Sequence, residues 1–230
     1  MTPMPTIGQM LSAHARLQPD RIGARDLERE MSFRLWNQRA CRLANALLGL
    51  GLAKGDRVGV LAWNRIEWLE IYTAAAKAGL VAVPVNFRLV APEIKFILQD
   101  CGAAAVIAEA GLHGAIDEIR DDLDVLVDRF IQLGEGAVPT GWRGYEALIA
   151  EASDSETPVH VAPADPWCLM YTSGTTGNPK GAIRGHQGMS NLAMMTEIEL
   201  GLARRDAALL VMPMCHANSL NFFSAFLYCG

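Results

Sequence analysis

The chain has 230 residues, of which 51% are hydrophobic, so it can bury a sizeable core in one large domain or two small ones. Its formal net charge of −5 excludes a nucleic-acid-binding role that depends on a basic face. The most apolar region, residues 207–230, is interrupted by Pro213, His216, Asn218 and Asn221. It falls short of the roughly 20 uninterrupted apolar residues that a transmembrane helix requires.

The cysteines and the N-terminus indicate the compartment. The five cysteines are widely spaced and form no C-x-x-C pair, which is typical of reduced thiols inside a cytoplasmic protein. Residues 1–5 contain no charged segment followed by an apolar one, so no signal peptide is predicted. We therefore expect a cytoplasmic protein.

The chain begins with two capped helices and a buried strand. Thr6 is a helix cap that precedes apolar residues at helical spacing, and Pro19 ends this pattern. Ser32 caps a second predicted helix, which ends near Gly49. Residues 57–62 are short and apolar enough to form a buried strand.

Helices and strands continue to alternate up to residue 152. The patterns predict strands over residues 81–85, 104–108 and 125–133, and helices over residues 66–78, 92–100, 116–120 and 145–152. Alternation of this kind requires parallel pairing with right-handed crossovers. The predicted fold class is α/β, with mostly parallel sheets covered by helices on both faces.

A polar connection divides the chain into two predicted parts. Residues 151–165 are rich in Asp, Ser, Glu and Pro and lack periodicity, so we interpret them as a surface connection. Residues 1–165 would form an N-terminal α/β subdomain, and residues 166–230 would begin a second one within the same large domain. This second part is predicted to contain strands over residues 167–171 and 208–212 and helices over residues 186–200 and 220–228.

The most informative segment is Y-T-S-G-T-T-G-N-P-K-G at residues 171–181. Its glycines let the backbone approach a ligand closely, and its hydroxyls, N–H groups and lysine suit a polyphosphate. The same residue types also form ordinary loops and linkers. A linker rarely follows an apolar strand, however, so we interpret the segment as a phosphate-binding loop. The NTPase motif G-x-x-x-x-G-K-[ST] does not fit, because Pro179 and Gly181 occupy positions that it reserves for other residues.

The run T-S-G-T-T-G-N-P-K-G resembles, at every position, the signature of the adenylate-forming enzymes. These enzymes include acyl-CoA synthetases, aryl-CoA ligases, luciferases and peptide-synthetase adenylation domains. Shorter segments resemble the same family in the same order, namely G-D-R-V at 55–58, N-R-I-E at 64–67, P-V-N-F-R at 84–88, Glu93 and L-Q-D-C-G-A at 98–103. The resemblance covers nearly the whole chain.

The resemblance implies an ATP-dependent acid–CoA ligase, with a fatty or an aryl carboxylic acid as substrate and with ATP, Mg²⁺ and coenzyme A as cofactors. The positive charge of Lys180 would offset the charge of the phosphates, and Lys180 and His216 would act in catalysis. Thr172 is the candidate Mg²⁺ ligand. The residues that would wrap the β- and γ-phosphates are Thr172, Ser173, Gly174, Thr175, Thr176 and Gly177.

The surroundings of His216 leave alternatives open. Its position after a predicted strand favours a site, because ligands of open α/β sheets gather at the carboxyl ends of strands. A lone histidine can equally be a satisfied core residue. Asn218, Phe222 and Phe223 would line an acyl pocket or simply form a buried helix face. Asn86 and Arg88 would serve a ligand or fix a turn.

The chain also departs from the family pattern. Family members are much longer, and their later segments contribute adenine, ribose and metal contacts together with a C-terminal catalytic lysine. We therefore expect the isolated chain to be the N-terminal portion of such an enzyme and to be inactive. It should expose apolar surface and form homo-oligomers. The alternative is a non-catalytic binding or assembly module that retains the fold.

Overall fold

The computed structural model describes residues 4–172 and 179–230. The helices are α1 (Ile7–Leu17), α2 (Phe33–Gly49), α3 (Glu67–Ala78), α4 (Ala91–Asp100), α5 (His113–Asp117), α6 (Tyr145–Ala150), α7 (His186–Leu200) and α8 (Ala217–Cys229). The strands are β1 (Ile22–Arg25), β2 (Glu30–Ser32), β3 (Arg57–Leu61), β4 (Val81–Val85), β5 (Ala103–Glu109), β6 (Phe130–Leu133), β7 (Arg143–Gly144), β8 (Pro166–Thr172) and β9 (Lys180–Gly185).

Local sequence signals explain where the first helices begin and end. Thr6 and Gln9 form a reciprocal capping box at α1, and the Ser32 hydroxyl accepts the Leu35 N–H at the start of α2. Gly79 ends α3 with a φ of 68°, a left-handed conformation that favours glycine. Pro92 lies in the first turn of α4, where its missing N–H costs nothing. The helix caps predicted at Thr6 and Ser32 are confirmed.

A seven-stranded sheet in the order β7-β6-β5-β3-β4-β8-β9 forms the centre of the molecule. Its strands pair in parallel, except for β9, which runs antiparallel to β8. One core packs helices such as α2, α3 and α8 against one face, and a second core packs α4 and α5 against the other. The predicted α/β fold class is confirmed.

The second part of the chain joins this same sheet. β8 pairs with β4 through Ala82 and Cys168, and it pairs with β9 over its whole length. Trp167 and Cys168 of β8 are fully buried, whereas β9 is an edge strand. The division between residues 1–165 and 166–230 stays a prediction. No helix among the described residues is both long and apolar enough to cross a membrane.

The structure corrects several element assignments. Residues 208–212 are not a strand: they form a mostly exposed segment that pairs with no strand among the described residues. Their apolar run resembles a strand, but a strand forms only where a neighbour accepts its hydrogen bonds. The helix predicted at 116–120 is α5 followed by a 3₁₀ turn at Arg120–Asp122, and the strand predicted at 125–133 begins only at Phe130.

Two antiparallel hairpins were not predicted from the sequence. β1 and β2 form a short antiparallel pair, and β9 returns antiparallel along β8. β9 contains Gly181 and Gly185 and shows no apolar alternation, so its sequence gives little strand signal. Pairing with the buried strand β8 overrides that weak propensity.

Candidate active site

The predicted phosphate-binding loop connects β8 to β9. Thr172 is the last residue of β8 and Lys180 is the first residue of β9, and the two are register partners. The Thr172 hydroxyl donates a hydrogen bond to the Lys180 carbonyl at 3.4 Å, and both residues are exposed. The other predicted phosphate-binding residues lie outside the described residues, namely Ser173, Gly174, Thr175, Thr176 and Gly177.

The strand that leads into the loop is firmly held. The Trp167 indole donates to the Tyr72 carbonyl at 2.8 Å inside the core. Nearer the loop, the Tyr171 hydroxyl donates to the Asp100 carboxylate. Burial raises the pKa of the Tyr171 hydroxyl above its ordinary value, and the Asp100 hydrogen bond raises it further, so Tyr171 stays protonated. The first residue of the loop therefore follows a strand that is anchored at both ends.

His216 lies at the start of α8, where it caps the helix. Its Nδ1 atom accepts the Asn218 backbone N–H at 3.2 Å. A neutral His216 therefore carries its proton on Nε2. Its side chain is exposed, so the interpretation as a buried core histidine is wrong. The imidazole is exposed to a ligand, and a catalytic role for His216 stays a prediction.

The segment before His216 crosses the carboxyl end of the sheet. Asn64 follows β3, and its side chain bonds the backbone of Met212 and Met214. Parallel strands end at one edge, and β8 runs parallel to β4. The sheet therefore brings Thr172, at the end of β8, to the same edge as the segment that leads into His216.

Three other candidates receive clear positions. The Asn86 side chain accepts the Arg88 N–H at 3.0 Å, so Asn86 fixes the turn after β4. Phe223 is buried in the core. Arg88 is exposed, and its guanidinium carbon lies 5.8 Å from the centre of the Phe87 ring.

An apolar groove lies beside this edge, with a volume of about 320 Å³. Asn218 and Phe222, both predicted as possible acyl-pocket residues, belong to its lining. Such a groove suits an apolar acyl chain or ring better than a charged group. The residues that line it are Leu200, Ala208, Leu209, Leu210, Val211, Met212, Asn218, Ser219, Phe222 and Phe226.

The described residues offer a magnesium ion few protein ligands. Across residues 4–172 and 179–230, no three His, Cys, Asp or Glu side chains gather as they would around a metal. Mg²⁺ bound to a nucleotide takes most of its ligands from phosphate oxygens and water, and one or two from the protein. The exposed Thr172 hydroxyl can supply one such oxygen, so the donor set fits an ion that arrives with its phosphate. Thr172 as a metal ligand stays a prediction.

Sequence reasoning missed the residues that hold the site in place. Asn64 and Tyr72 reach the segment before His216, and Asp100 reaches Tyr171. Their partners are more than 70 residues away along the chain, so no local pattern signals these contacts. The sequence signals were the position of Asn64 just after a predicted buried strand and the family-like segments at 64–67 and 98–103, which contain Asn64 and Asp100.

Comparison with known proteins shows extensive similarity. The family described as AMP-binding enzyme matches residues 11–230. The chain is 38% identical over 230 residues to the long-chain-fatty-acid–CoA ligase FadD13 of Mycobacterium tuberculosis, covering 96% of this chain and 44% of that protein. It is 34% identical over 218 residues to the indoleacetate–CoA ligase of Aromatoleum aromaticum, covering 94% and 42%. The chain thus spans less than half the length of these relatives.

Solved structures agree with this result. The anthranilate CoA ligase AuaEII in complex with anthranoyl-AMP superposes with a TM-score of 0.92 at 27% identity, covering 100% of this chain and 44% of that one. The inhibitor-bound N-terminal domain of FACL13 from Mycobacterium tuberculosis gives a TM-score of 0.86 at 33% identity, covering 99% and 56%.

Proposed function

The chain belongs to the AMP-binding enzyme family, and we propose that it forms the N-terminal part of an ATP-dependent acid–CoA ligase. The single observation that carries the proposal is the β8–β9 hairpin. It makes Thr172 and Lys180, which flank residues 173–179 of the T-S-G-T-T-G-N-P-K-G run, register partners at the carboxyl end of β8. Thioester-forming CoA ligases among the relatives support the reaction class.

In the proposed reaction, a carboxylate oxygen attacks the α-phosphate of ATP. A bond forms between that oxygen and phosphorus, the bond to the β-phosphate bridging oxygen breaks, and pyrophosphate leaves. The thiolate of coenzyme A then attacks the acyl carbon and displaces AMP, which leaves a thioester. Both steps bring anions together, so catalysis depends mostly on positioning and on charge compensation.

The residues of this chain would share these tasks. Thr172 and the loop that follows it would donate hydrogen bonds to the β- and γ-phosphates, and the Lys180 ammonium would offset their charge. His216 would donate from Nε2 to a phosphate or carboxylate oxygen. Bound Mg²⁺ would supply further positive charge to the phosphates, with Thr172 as its protein ligand. The apolar groove would take the acyl part of the acid.

The choice of acid follows from the groove and the relatives. Relatives are named for long-chain fatty acids and for indoleacetate, so we propose a fatty or an aryl carboxylic acid as substrate. We further propose that residues 1–165 and 166–230 are two subdomains of one adenylating domain. We place the protein in the cytoplasm, where its five free cysteines would remain reduced.

The test replaces Lys180 in the full-length protein that carries this sequence. ATP–pyrophosphate exchange is measured with a series of fatty and aryl acids. Lys180→Ala should lower kcat/KM for ATP by about 100-fold, since one lost charge contact to a transferring phosphate is of that order, and Lys180→Arg should restore part of it. Unchanged adenylation kinetics in Lys180→Ala would sink the proposal.

Two controls complete the design. Lys95→Ala removes another surface lysine, which pairs with Asp122 on the α4 side of the sheet, and it should leave the exchange unchanged. The isolated 230-residue chain should show no acid-dependent pyrophosphate exchange, because under this proposal the remaining catalytic groups belong to the rest of the protein. Measurable exchange by the isolated chain would contradict that part of the proposal.

A further inference from the structure

The segment that carries His216 to its place has no secondary structure of its own. Residues 207–212 form neither helix nor strand, and Leu209 and Val211 are exposed. Because this backbone joins no strand or helix, its polar groups take hydrogen bonds from side chains elsewhere in the fold, while Leu210 and Met214 pack against the core.

Asn64 supplies most of these hydrogen bonds. Its Nδ2 atom donates to the carbonyls of Met212 at 2.9 Å and Leu210 at 3.4 Å. Its Oδ1 atom accepts the Met214 N–H at 2.7 Å. One amide side chain therefore bonds three backbone groups over five consecutive residues, on both sides of Pro213, and uses both its donor and its acceptor capacity.

Two further side chains hold the same segment but cannot replace Asn64. The Tyr72 hydroxyl donates to the Met214 carbonyl at 2.8 Å from within the core. The Ser219 hydroxyl donates to the Met212 carbonyl at 2.8 Å from the first turn of α8. Tyr72 fixes only Met214, and Ser219 belongs to α8, the same helix that His216 caps. Asn64 therefore links the segment to the end of β3.

We propose that Asn64 is a positioning residue that holds the Leu210–Met214 backbone on the sheet and thereby sets where His216 and the groove meet the acid. The inference rests on the proposed function. Met214 lies two residues before His216, and the His216 N–H donates back to the Pro213 carbonyl at 2.9 Å, so a shift at Met214 passes directly to His216. The phosphate loop on β8 and β9 has no such link to Asn64 among the described residues.

The first experiment needs no activity. Amide hydrogen exchange of Met214 is measured by NMR in the 230-residue chain and in its variants. Asn64→Ala should accelerate exchange at Met214 by about tenfold or more, since the lost acceptor is its only one in the described structure and a typical hydrogen bond is worth about that factor. Asn64→Asp keeps an acceptor for Met214 and should accelerate exchange less. Unchanged protection in Asn64→Ala would overturn the proposal.

The matched control is Asn45→Ala. Asn45 lies on α2 and also uses its Nδ2 atom to hold a distant loop, through the carbonyls of Ser153 and Ser155, both at 2.9 Å. That loop lies away from the candidate site. Asn45→Ala should leave Met214 exchange unchanged, and equal acceleration in both variants would indicate general loosening and would count against a local role for Asn64.

The second experiment separates positioning from stability. In the full-length protein, Asn64→Ala should raise KM for the acid by about tenfold or more, because small misplacements of a binding group are costly. KM for ATP should change less than about twofold, since the described hydrogen bonds of Asn64 reach neither Thr172 nor Lys180. An equal rise in KM for ATP and in KM for the acid would show a merely structural role and overturn the proposal.

The two proposals fail in different ways. If the unmodified full-length protein shows no pyrophosphate exchange with any acid, the proposed function fails. In that case, amide hydrogen exchange at Met214 still decides whether Asn64 holds the segment. If pyrophosphate exchange is present but the Asn64 variants show the same amide hydrogen exchange at Met214 as the Asn45 variant, only the positioning role is refuted.

Discussion

Replacing Glu67 with glutamine should destabilise the chain by about 3 kcal/mol at neutral pH. Glu67 is 2% exposed and accepts hydrogen bonds from Arg65 at 2.7 and 3.0 Å and from Arg29 at 2.8 and 3.3 Å. Burial opposes its charge, but the two guanidinium groups outweigh burial and lower its pKa from 4.5 to about 2. At about 1.36 kcal/mol per pH unit, that difference corresponds to about 3 kcal/mol.

The sign of the pH dependence follows from the lowered pKa. The stabilisation is fully present above the pKa of the unfolded state and is lost as the pH falls towards the folded pKa of about 2. Near pH 3.5, one unit below the ordinary value, about 1.4 kcal/mol should already be lost. The difference between the original chain and Glu67→Gln should therefore narrow by about that amount between neutral pH and about pH 3.5.

Urea unfolding of both chains at several pH values provides the assay, because groups common to both chains cancel in the difference. Glu118→Gln, which changes an exposed glutamate, serves as the control and should alter stability by less than about 0.5 kcal/mol at any pH. A difference for Glu67→Gln that stays constant with pH would refute the reasoning, since it would show that the charge of Glu67 contributes nothing.

Three further changes test other parts of the fold. Lys77→Met should destabilise the chain by about 2 kcal/mol, because it breaks the ion pair between buried Lys77 and half-exposed Glu156, although water can rehydrate the Glu156 carboxylate. An unchanged midpoint in urea unfolding would contradict this. Thr6→Ala should cost about 1 kcal/mol through loss of the α1 cap, and no change in thermal midpoint would argue against the capping box. The isolated chain should self-associate, and joint replacement of Leu209 and Val211 by aspartate should reduce this in sedimentation velocity; a clean monomer of the unmodified chain at high concentration would disprove the expectation.

Elements with strong local signals could be predicted from the sequence. The caps at Thr6 and Ser32 and the left-handed Gly79 depend only on near neighbours, and the structure confirms each of them. The family motif at residues 172–181 is also local, and family membership is confirmed by the match over residues 11–230. The roles of Lys180, His216 and the other predicted site residues stay predictions.

Elements that depend on a distant partner could not be predicted in this way. Residues 208–212 have the composition of a strand but pair with none among the described residues, so their apolar side chains line a groove instead. β9 has the composition of a turn but forms a strand, because β8 lies beside it. In both cases the hydrogen-bonding partner, and not the propensity of the residues, decides the structure.

The sequence by itself determined the α/β class, the family and the chemical character of the loop between Thr172 and Lys180, because periodicity, caps and a contiguous motif are properties of neighbouring residues. Only the tertiary structure decided that His216 is exposed and that Asn64 holds the backbone before it. The bond from Met214 to Asn64 joins residues 150 positions apart. Such a contact exists only once the sheet has brought the ends of its strands to one edge, so no sequence pattern encodes it locally.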